Sequence, residues 1–474
     1  MNTDTIAAIA TPSGIGGIGI IRISGPEALK IAAILFRAGP HNSHGEDHDT
    51  GIRSRGPFDS HRLYYGHIVD PATGVSVDEV LLAVMRAPRS YTREDVAEIQ
   101  AHAGAAVLHM ILELVLGQGA RMADPGEFTQ RAFFNGRIDL TQAEAVIDVI
   151  NARTQAALKI ATQQVAGRLG QAVENIRRLL LELSTPIEAA IDFPDDVSEI
   201  LSSADLAARL QHQVAAPVFG LMERCTHGRI FRDGWKLVIA GRPNVGKSRL
   251  LNRLLEKERS IVTAIPGTTR DFVEDSFQVL GVPVIVTDTA GLHEAADPIE
   301  IIGMSKTRRC LEAADLILLV IDGSEELAED DRRIWKICLG KPVIVAVNKI
   351  DLIGDRRSAK AMLPKEWATA DAMEISALYG DGIEELKQRI AEAAGATGHD
   401  SQDHDAIPNL RHQQALEKCH KHVMTAIKGL QEHQTSELVA LDLREAVGCC
   451  DEILGLGVTP DILEQIFSRF CIGK

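Results

Sequence analysis

The 474-residue sequence predicts an α/β domain inserted into an all-α helical domain, with a mixed α+β domain in front of both. Three observations carry that expectation. Strand-like runs broken by turns fill the first part, long helical patterns begin near Leu140 and resume after Pro408, and strands start abruptly at Trp235 between them. A chain of this length exceeds one core of ordinary size, so several domains are expected. Their boundaries are read as 1–136, 137–232, 233–397 and 398–474, the second and fourth being two halves of one helical domain.

In the first part, GIGIIRISG reads as a strand ending at Gly25-Pro26, and DEVLLAVMRAP as another ending at Pro88. AAVLHMILELVL has helical spacing and stops at Gly117. His41–Gly56 is polar and glycine-bearing, the signature of a loop; its histidines lack a regular metal-ligand spacing. Beyond Leu140, Ile176, Leu179, Leu180 and Leu183 follow the three-four spacing of a packed helix face, and Leu201–Cys225 continues in that style. ALEKCHKHVMTAIKGL, SELVALDLREAVGCCDEIL and DILEQIFSRF resume it near the end. Each helical half has an apolar face in need of a partner. The economical solution packs the halves on each other, with the strand-rich domain inserted where its two ends lie close together.

No apolar run reaches the ~18–20 residues needed to span a bilayer. The start MNTDTIAAIATPSG lacks a basic segment followed by an apolar one, so a cytoplasmic protein without a membrane association is expected. Cys225, Cys310, Cys338, Cys419, Cys449, Cys450 and Cys471 form no CxxC and no paired framework, which argues against a disulfide scaffold or a zinc site. Most should be buried thiols. A net charge of −16 excludes a broad basic face for nucleic acid, so DNA is not an expected partner and any RNA contact is a local patch or is shared with another protein.

The chemistry is concentrated in the inserted domain. Gly241-Arg-Pro-Asn-Val-Gly-Lys-Ser248 lies between a strand and a helix, the context a phosphate-binding loop requires. Backbone N–H groups around Gly246 can cradle phosphates, Lys247 neutralise their oxygens, and Ser248 ligate Mg²⁺. Asp288-Thr-Ala-Gly291 follows the apolar strand VPVIV, where Asp288 reaches the metal through water and Gly291 meets the γ-phosphate. Asn348-Lys349-Ile350-Asp351 follows PVIVAV. Asp351 is suited to accept the N1–H and exocyclic amino hydrogens of guanine; adenine lacks that N1–H and would leave the carboxylate unpaired. Ser376-Ala377-Leu378 follows another short strand and can cap the base with backbone N–H groups. Four motifs in order, each at a strand end, point to GTP rather than ATP. Ala264–Asp271 reads as a first switch, with Thr269 a second Mg²⁺ ligand. Leu292 follows DTAG where signalling GTPases carry a water-orienting glutamine, so the attacking water must be placed from elsewhere; Glu294, Asp297 and Glu300 are candidates and each is also an ordinary surface acid.

Three further strings, ATPSGIGGIGIIRISG, PGEFTQRAFFNGRIDLTQAEAVIDVI and the terminal IFSRFCIGK, resemble the MnmE (TrmE) family of tRNA-modification GTPases over the whole chain. The resemblance implies a P-loop GTPase domain inserted into the helical domain, preceded by a folate-binding, aminomethyltransferase-like α+β domain that makes a homodimer. Carried over residue by residue, it places K⁺ on Asn244, Thr263, Ile265 and Thr268, where an arginine finger would otherwise supply charge, and makes Glu300 the catalytic partner of Lys247 by positioning water. The nucleotide would then touch Asn244, Val245, Gly246, Lys247, Ser248, Arg249, Thr263, Thr268, Thr269, Asp288, Thr289, Ala290, Gly291, Asn348, Lys349, Asp351, Ser376 and Ala377. Arg22, Glu98, Arg137 and Lys474 match positions that contact a tetrahydrofolate derivative. Read without the family, Arg22 is most simply an ion-paired arginine. Cys471 is placed near the folate by the family, with a partly buried, chemically silent thiol as the alternative.

The implied activity is K⁺-activated GTP hydrolysis that, with the flavoprotein MnmG carrying FAD, installs an aminomethyl or carboxymethylaminomethyl group on carbon 5 of the tRNA wobble uridine. A ribosome-assembly or purely regulatory GTPase is the rival, but a basic RNA-binding module expected at its C-terminus is absent from this amphipathic, CIGK-ending segment. Arg249 and Pro266 depart from the small residues common at those positions, and Arg137 stands at a position that a lysine can fill.

Overall fold

The computed structural model describes residues 4–12, 14, 16–38, 58–152, 154–192, 203–255, 274–279, 282–288, 311–353, 363–367, 371–394 and 407–474. The chain divides into two compact units, Met1–Ile147 with Asp451–Lys474, and Asp148–Cys450. The polar segment His41–Gly56 lies outside the described residues.

The first unit is built on a seven-stranded sheet. Its strands are β1 (Ile6–Ile9), β2 (Ile18–Ser24), β3 (Phe36–Ala38), β4 (Arg62–Val69), β5 (Ser76–Met85), β6 (Val96–His102) and β7 (Arg121–Met122), in the order β3-β4-β5-β6-β2-β1-β7. Alternation along the central strands sends Ile21, Ile23, Leu82, Val84, Ile99 and Ala101 into a core with Leu29, Leu35, Ile111 and Val115 from the helices Ala28–Leu35 and Ala105–Gly117. The same two-residue period puts Arg22 and Glu98 directly opposite each other on the other face of the sheet. The end of the chain belongs here: Leu463, Ile466, Phe467 and Phe470 pack with Leu140 and Ala143. At Gly473, φ is +95° and an added Cβ would run into the Ile9 carbonyl, so only glycine lets the terminal turn approach β1 this closely.

The second unit contains the helices Gln155–Val165, Arg168–Asp192, Ser203–Leu210 and Ala216–Asp233, the last two joined by one π-turn at Gln211–Ala215. Helix Leu410–Gln431 packs on both Ser203–Leu210 and Ala216–Asp233, so helices from either side of the insertion share one interior. Cys225 Sγ lies 3.3 Å from the Pro408 carbonyl and Gln164 Nε2 donates to the Ile407 carbonyl, two ties at the point where the chain re-enters. Ile176, Leu180 and Leu183 are buried as their spacing predicts, while Leu179 is half-buried.

The second unit also contains a six-stranded sheet made of β8 (Trp235–Ala240), β9 (Glu274–Val279), β10 (Val282–Asp288), β11 (Leu316–Asp322), β12 (Val343–Asn348) and β13 (Asp371–Glu374), ordered β13-β12-β11-β8-β10-β9. Only β9 is antiparallel to its neighbour. Every residue of β11 is buried, as expected of a central parallel strand covered on both faces, and separate apolar clusters line the two sides. A parallel sheet ends all its strands in one direction. The strand ends Ala240, Asp288, Asn348 and Glu374 therefore gather along one edge, where open α/β sheets bind ligands.

Candidate functional site

Gly241 leaves β8 with φ +149°, and an added Cβ would meet the Val320 carbonyl of β11. Asn244 at φ +67° and Gly246 at φ +102° add two more left-handed positions, and left-handed residues set among right-handed ones are what build an anion-binding concavity of backbone N–H groups. Lys247 opens the helix Lys247–Leu255, is 6% exposed, and donates from Nζ to the carbonyls of Gly241 (2.8 Å) and Arg242 (2.7 Å), which holds the ammonium against the loop. Ser248, Arg249 and Asn244 are exposed, and Val245 is buried beneath them. Asp288 ends β10 in register with Ile239 of β8, so its backbone stands beside the loop's first residues.

Asn348 joins three motifs. It is 2% exposed; its Nδ2 donates to the Val245 carbonyl (2.8 Å) and its Oδ1 accepts from the Ala377 N–H (2.9 Å). An added Cβ on Gly246 would collide with that Nδ2, which is a second reason for glycine there. Asp351 is exposed at the rim, and its Oδ1 accepts a hydrogen bond from Ser376 Oγ (2.6 Å); Ser376 is fully buried and its Oγ in turn accepts from the Tyr379 N–H (3.2 Å). The Ser376 N–H goes to the Asp381 carbonyl (3.0 Å). The amides of Ser376 and Ala377 are therefore engaged within the protein, and it is the Ser376 hydroxyl that orients the Asp351 carboxylate. Lys349, at φ +63°, places Nζ 2.5 Å from Asp322 Oδ2. Burial pushes the Asp322 carboxyl up, but the Lys349 ammonium and the Ser324 hydroxyl and N–H outweigh it and hold the group below its ordinary value.

Sequence reasoning passed over Asp322; the available signal was an acidic residue closing an otherwise wholly apolar strand. Thr263, Ile265, Thr268, Thr269, Thr289, Ala290, Gly291 and Glu300 lie outside the described residues.

In the first unit, Arg22 Nε donates to Glu98 Oε1 (2.7 Å), and its Nη1 to the Gly473 carbonyl (3.3 Å). The guanidinium lies 5.8 Å from the Tyr91 ring centroid and 5.6 Å from that of Phe128. Arg137 stacks on Tyr91 at 4.7 Å and donates to the Tyr91 carbonyl (2.8 Å). The terminal residue closes the group through the Phe128 N–H, which donates to the Lys474 carbonyl (3.2 Å). Arg22, Glu98, Arg137 and the CIGK end are thus brought together around two aromatic rings that sequence reasoning did not single out. Such a cluster offers guanidinium donors for carboxylates, a carboxylate for ring N–H groups and π faces for a flat heterocycle. Behind it, Arg131 and Glu127, each 3% exposed, pair at 2.9 Å, and Arg121 pairs with Glu127 at 2.6 Å.

Cys471 is exposed, which removes partial burial as the account of that thiol. Cys225, Cys338, Cys419, Cys449 and Cys450 are buried, and burial pushes Cys338 up to about 12. Among the described residues no group of three or more His, Cys, Asp or Glu is placed to hold a metal ion, and no helix is long and apolar enough to cross a membrane.

A family model described as the GTP-binding protein TrmE N-terminus matches residues 5–137, and one described as the MnmE helical domain matches residues 140–471. The protein named tRNA modification GTPase MnmE from Geobacter sulfurreducens is 45% identical, across 99% of this chain and 99% of its own. That of Syntrophus aciditrophicus is 45% identical over 100% of both chains, and that of Desulfotalea psychrophila 42% over 100% of this chain and 99% of its own. With the phosphate loop, the Asn348 brace and the Asp351 rim in place on one sheet edge, and likeness running end to end, the chain belongs to the MnmE (TrmE) family of GTPases.

Proposed function

We propose that this GTPase hydrolyses GTP in the service of tRNA modification, adding an aminomethyl or carboxymethylaminomethyl group to carbon 5 of the wobble uridine together with a flavoprotein partner, MnmG. The observation that carries the GTP half is the pair formed by Asn348 and Asp351: one braces the phosphate loop against Ala377, the other presents a carboxylate aimed by Ser376. The full-length likeness to proteins named tRNA modification GTPase MnmE supports the RNA half.

On this reading Lys247 and the loop N–H groups bind the phosphates, and Ser248 with Thr269 would hold Mg²⁺, whose charge eases negative charge on the transferring phosphoryl oxygens. Asn244, Thr263, Ile265 and Thr268 would hold K⁺, Glu300 would position water, and Thr289, Ala290 and Gly291 would follow the γ-phosphate. The cluster of Arg22, Glu98, Arg137 and Lys474 fits a tetrahydrofolate derivative, since its donors, carboxylate and rings match an anionic pterin. FAD would sit on MnmG, the working form would be a homodimer, and the setting cytoplasmic, without membrane or DNA contact. By role, the chain would divide into 1–136, 137–232, 233–397 and 398–474.

Mass spectrometry of tRNA nucleosides from a strain lacking this gene tests the reading. Loss of the modified wobble uridine, restored by the intact gene, is expected; an unchanged nucleoside profile rejects it. The purified protein should also hydrolyse GTP more slowly, by roughly tenfold or more, when Na⁺ replaces K⁺, on the scale of a lost charge contact to the transition state. Equal rates would remove the cation assignment on Asn244.

A further inference from the structure

The loop that follows β11 has no part in the motif set, yet it reaches the base side of the site. Asp322 lies opposite Asn348 in the β11–β12 register, and the Gly323 N–H donates to the Asn348 carbonyl (2.8 Å). A Cβ added at Gly323 would stand 2.8 Å from a Val347 methyl and 2.9 Å from an Ile353 methyl, so the turn leaves no space for a side chain there. Both Asp322 oxygens are assigned. Oδ1 accepts from the Ser324 N–H (3.0 Å) and Oγ (2.6 Å), which fixes the carboxylate plane, and Oδ2 faces Lys349 Nζ at 2.5 Å. Lys349 is left-handed at φ +63°, an uncommon state for a residue with a side chain, and stands two positions before Asp351. A lysine stem free in solvent carries about 2 kcal/mol of rotamer entropy. Tied to Asp322, the ammonium end is anchored to the loop after β11, and the stem is held between that anchor and a backbone two positions before Asp351.

We propose that Asp322 is a positioning residue for guanine-nucleotide binding, acting through Lys349: it orders the lysine stem before the base arrives, so the ordering cost is not met on binding. The inference rests on the GTP reading above and adds a residue outside the four nucleotide motifs.

The test is steady-state GTP hydrolysis together with calorimetric GDP titration on the full chain, for wild type, D322N, K349M and the double variant. Losing a charge-assisted hydrogen bond corresponds to a change of about tenfold. We expect D322N to raise the GTP KM and the GDP Kd by about that factor, with kcat at saturating GTP within about twofold, because the phosphate loop is untouched. K349M should do the same, and the double variant should be no worse than the poorer single one. An unchanged KM in D322N overturns the inference, as does a kcat that falls in proportion. Multiplying losses in the double variant overturn it too, since they mean that the two residues act independently. If D322N does not fold, K349M decides alone, because Lys349 is 32% exposed: an unchanged KM there is equally fatal. Wild-type protein that fails to bind GDP sinks the GTP reading and this inference together, whereas wild-type binding with an unaffected D322N sinks this inference only.

Discussion

Asp351 shows how much a single side chain can be asked to decide. Its carboxylate is held by Ser376 Oγ at 2.6 Å and offers only acceptors, which suits the donor edge of guanine. Asp351→Asn replaces one acceptor by an amide donor, which faces hydrogen in guanine and oxygen in xanthine. GTP affinity should fall by roughly 10- to 100-fold, the range for a charged hydrogen bond, while xanthosine triphosphate gains. Competition binding with the two nucleotides checks this, and undiminished GTP preference would count against the site. Asp351 was legible as the candidate for this role from the spacing Asn348-Lys349-Ile350-Asp351 after a strand. The hand that aims it was not. That Ser376 uses its hydroxyl, while its N–H is taken by Asp381, depends on how the 376–382 turn closes, which no local pattern specifies.

At the scale of one element, the phosphate loop is a turn from β8 into the helix Lys247–Leu255, pressed against β11 at its start. Gly241 carries φ +149° with the Val320 carbonyl where a Cβ would stand. Gly241→Ala therefore costs on two counts, backbone strain and collision with a strand that cannot yield, and should destabilise the second unit by about 2–4 kcal/mol. Urea denaturation followed by tryptophan fluorescence reads this directly, since Trp235, Trp335 and Trp367 all lie in that unit. A loss below about 0.5 kcal/mol, the size of an ordinary surface change, would mean that the loop relaxes around the methyl group. The helices are governed by their stripes. Ile176, Leu180 and Leu183 were placed on a buried face by spacing alone, and the structure buries them. Leu179, at the edge of the stripe, is only half covered, because its burial depends on which helix lies alongside rather than on its own period.

At the scale of the whole molecule, one charge network, Asp4, Arg121, Glu127 and Arg131, ties together parts of the first unit that are distant in sequence. In the first unit, burial pushes the Glu127 carboxyl up, and hydrogen bonds from Arg121, the Asp124 N–H and Arg131 overcome this to hold it below its ordinary 4.5. Asp4 is lowered as well, again against burial, by Arg121 and Arg131. As pH falls, the unfolded chain takes up these protons first. The stabilisation is complete above the ordinary carboxylate value and drains away as pH passes down through the lower folded value. Amide exchange in the helix Glu127–Phe134 should thus quicken in acid. In Arg131→Met, which leaves Glu127 short of a buried partner, stability at neutral pH should fall by about 3 kcal/mol and the acid dependence should flatten. An acid profile unaltered by Arg131→Met would show that other carboxylates govern it.

The sequence by itself determined the order of the parts and the chemistry of the nucleotide edge. Phosphate loops, apolar strands and helix stripes are local patterns whose meaning does not depend on distant residues. Tertiary structure alone decided which distant residues share a site. It set Arg22 and Glu98 opposite each other by strand register, roofed them with Tyr91 and Phe128, and brought the Gly473 carbonyl to Arg22 from the far end of the chain. It also paired Asp322 with Lys349 across neighbouring strands. Register and chain return are settled by the packing of whole apolar faces, an energy summed over many residues, and for that reason they leave no mark in any short stretch of sequence.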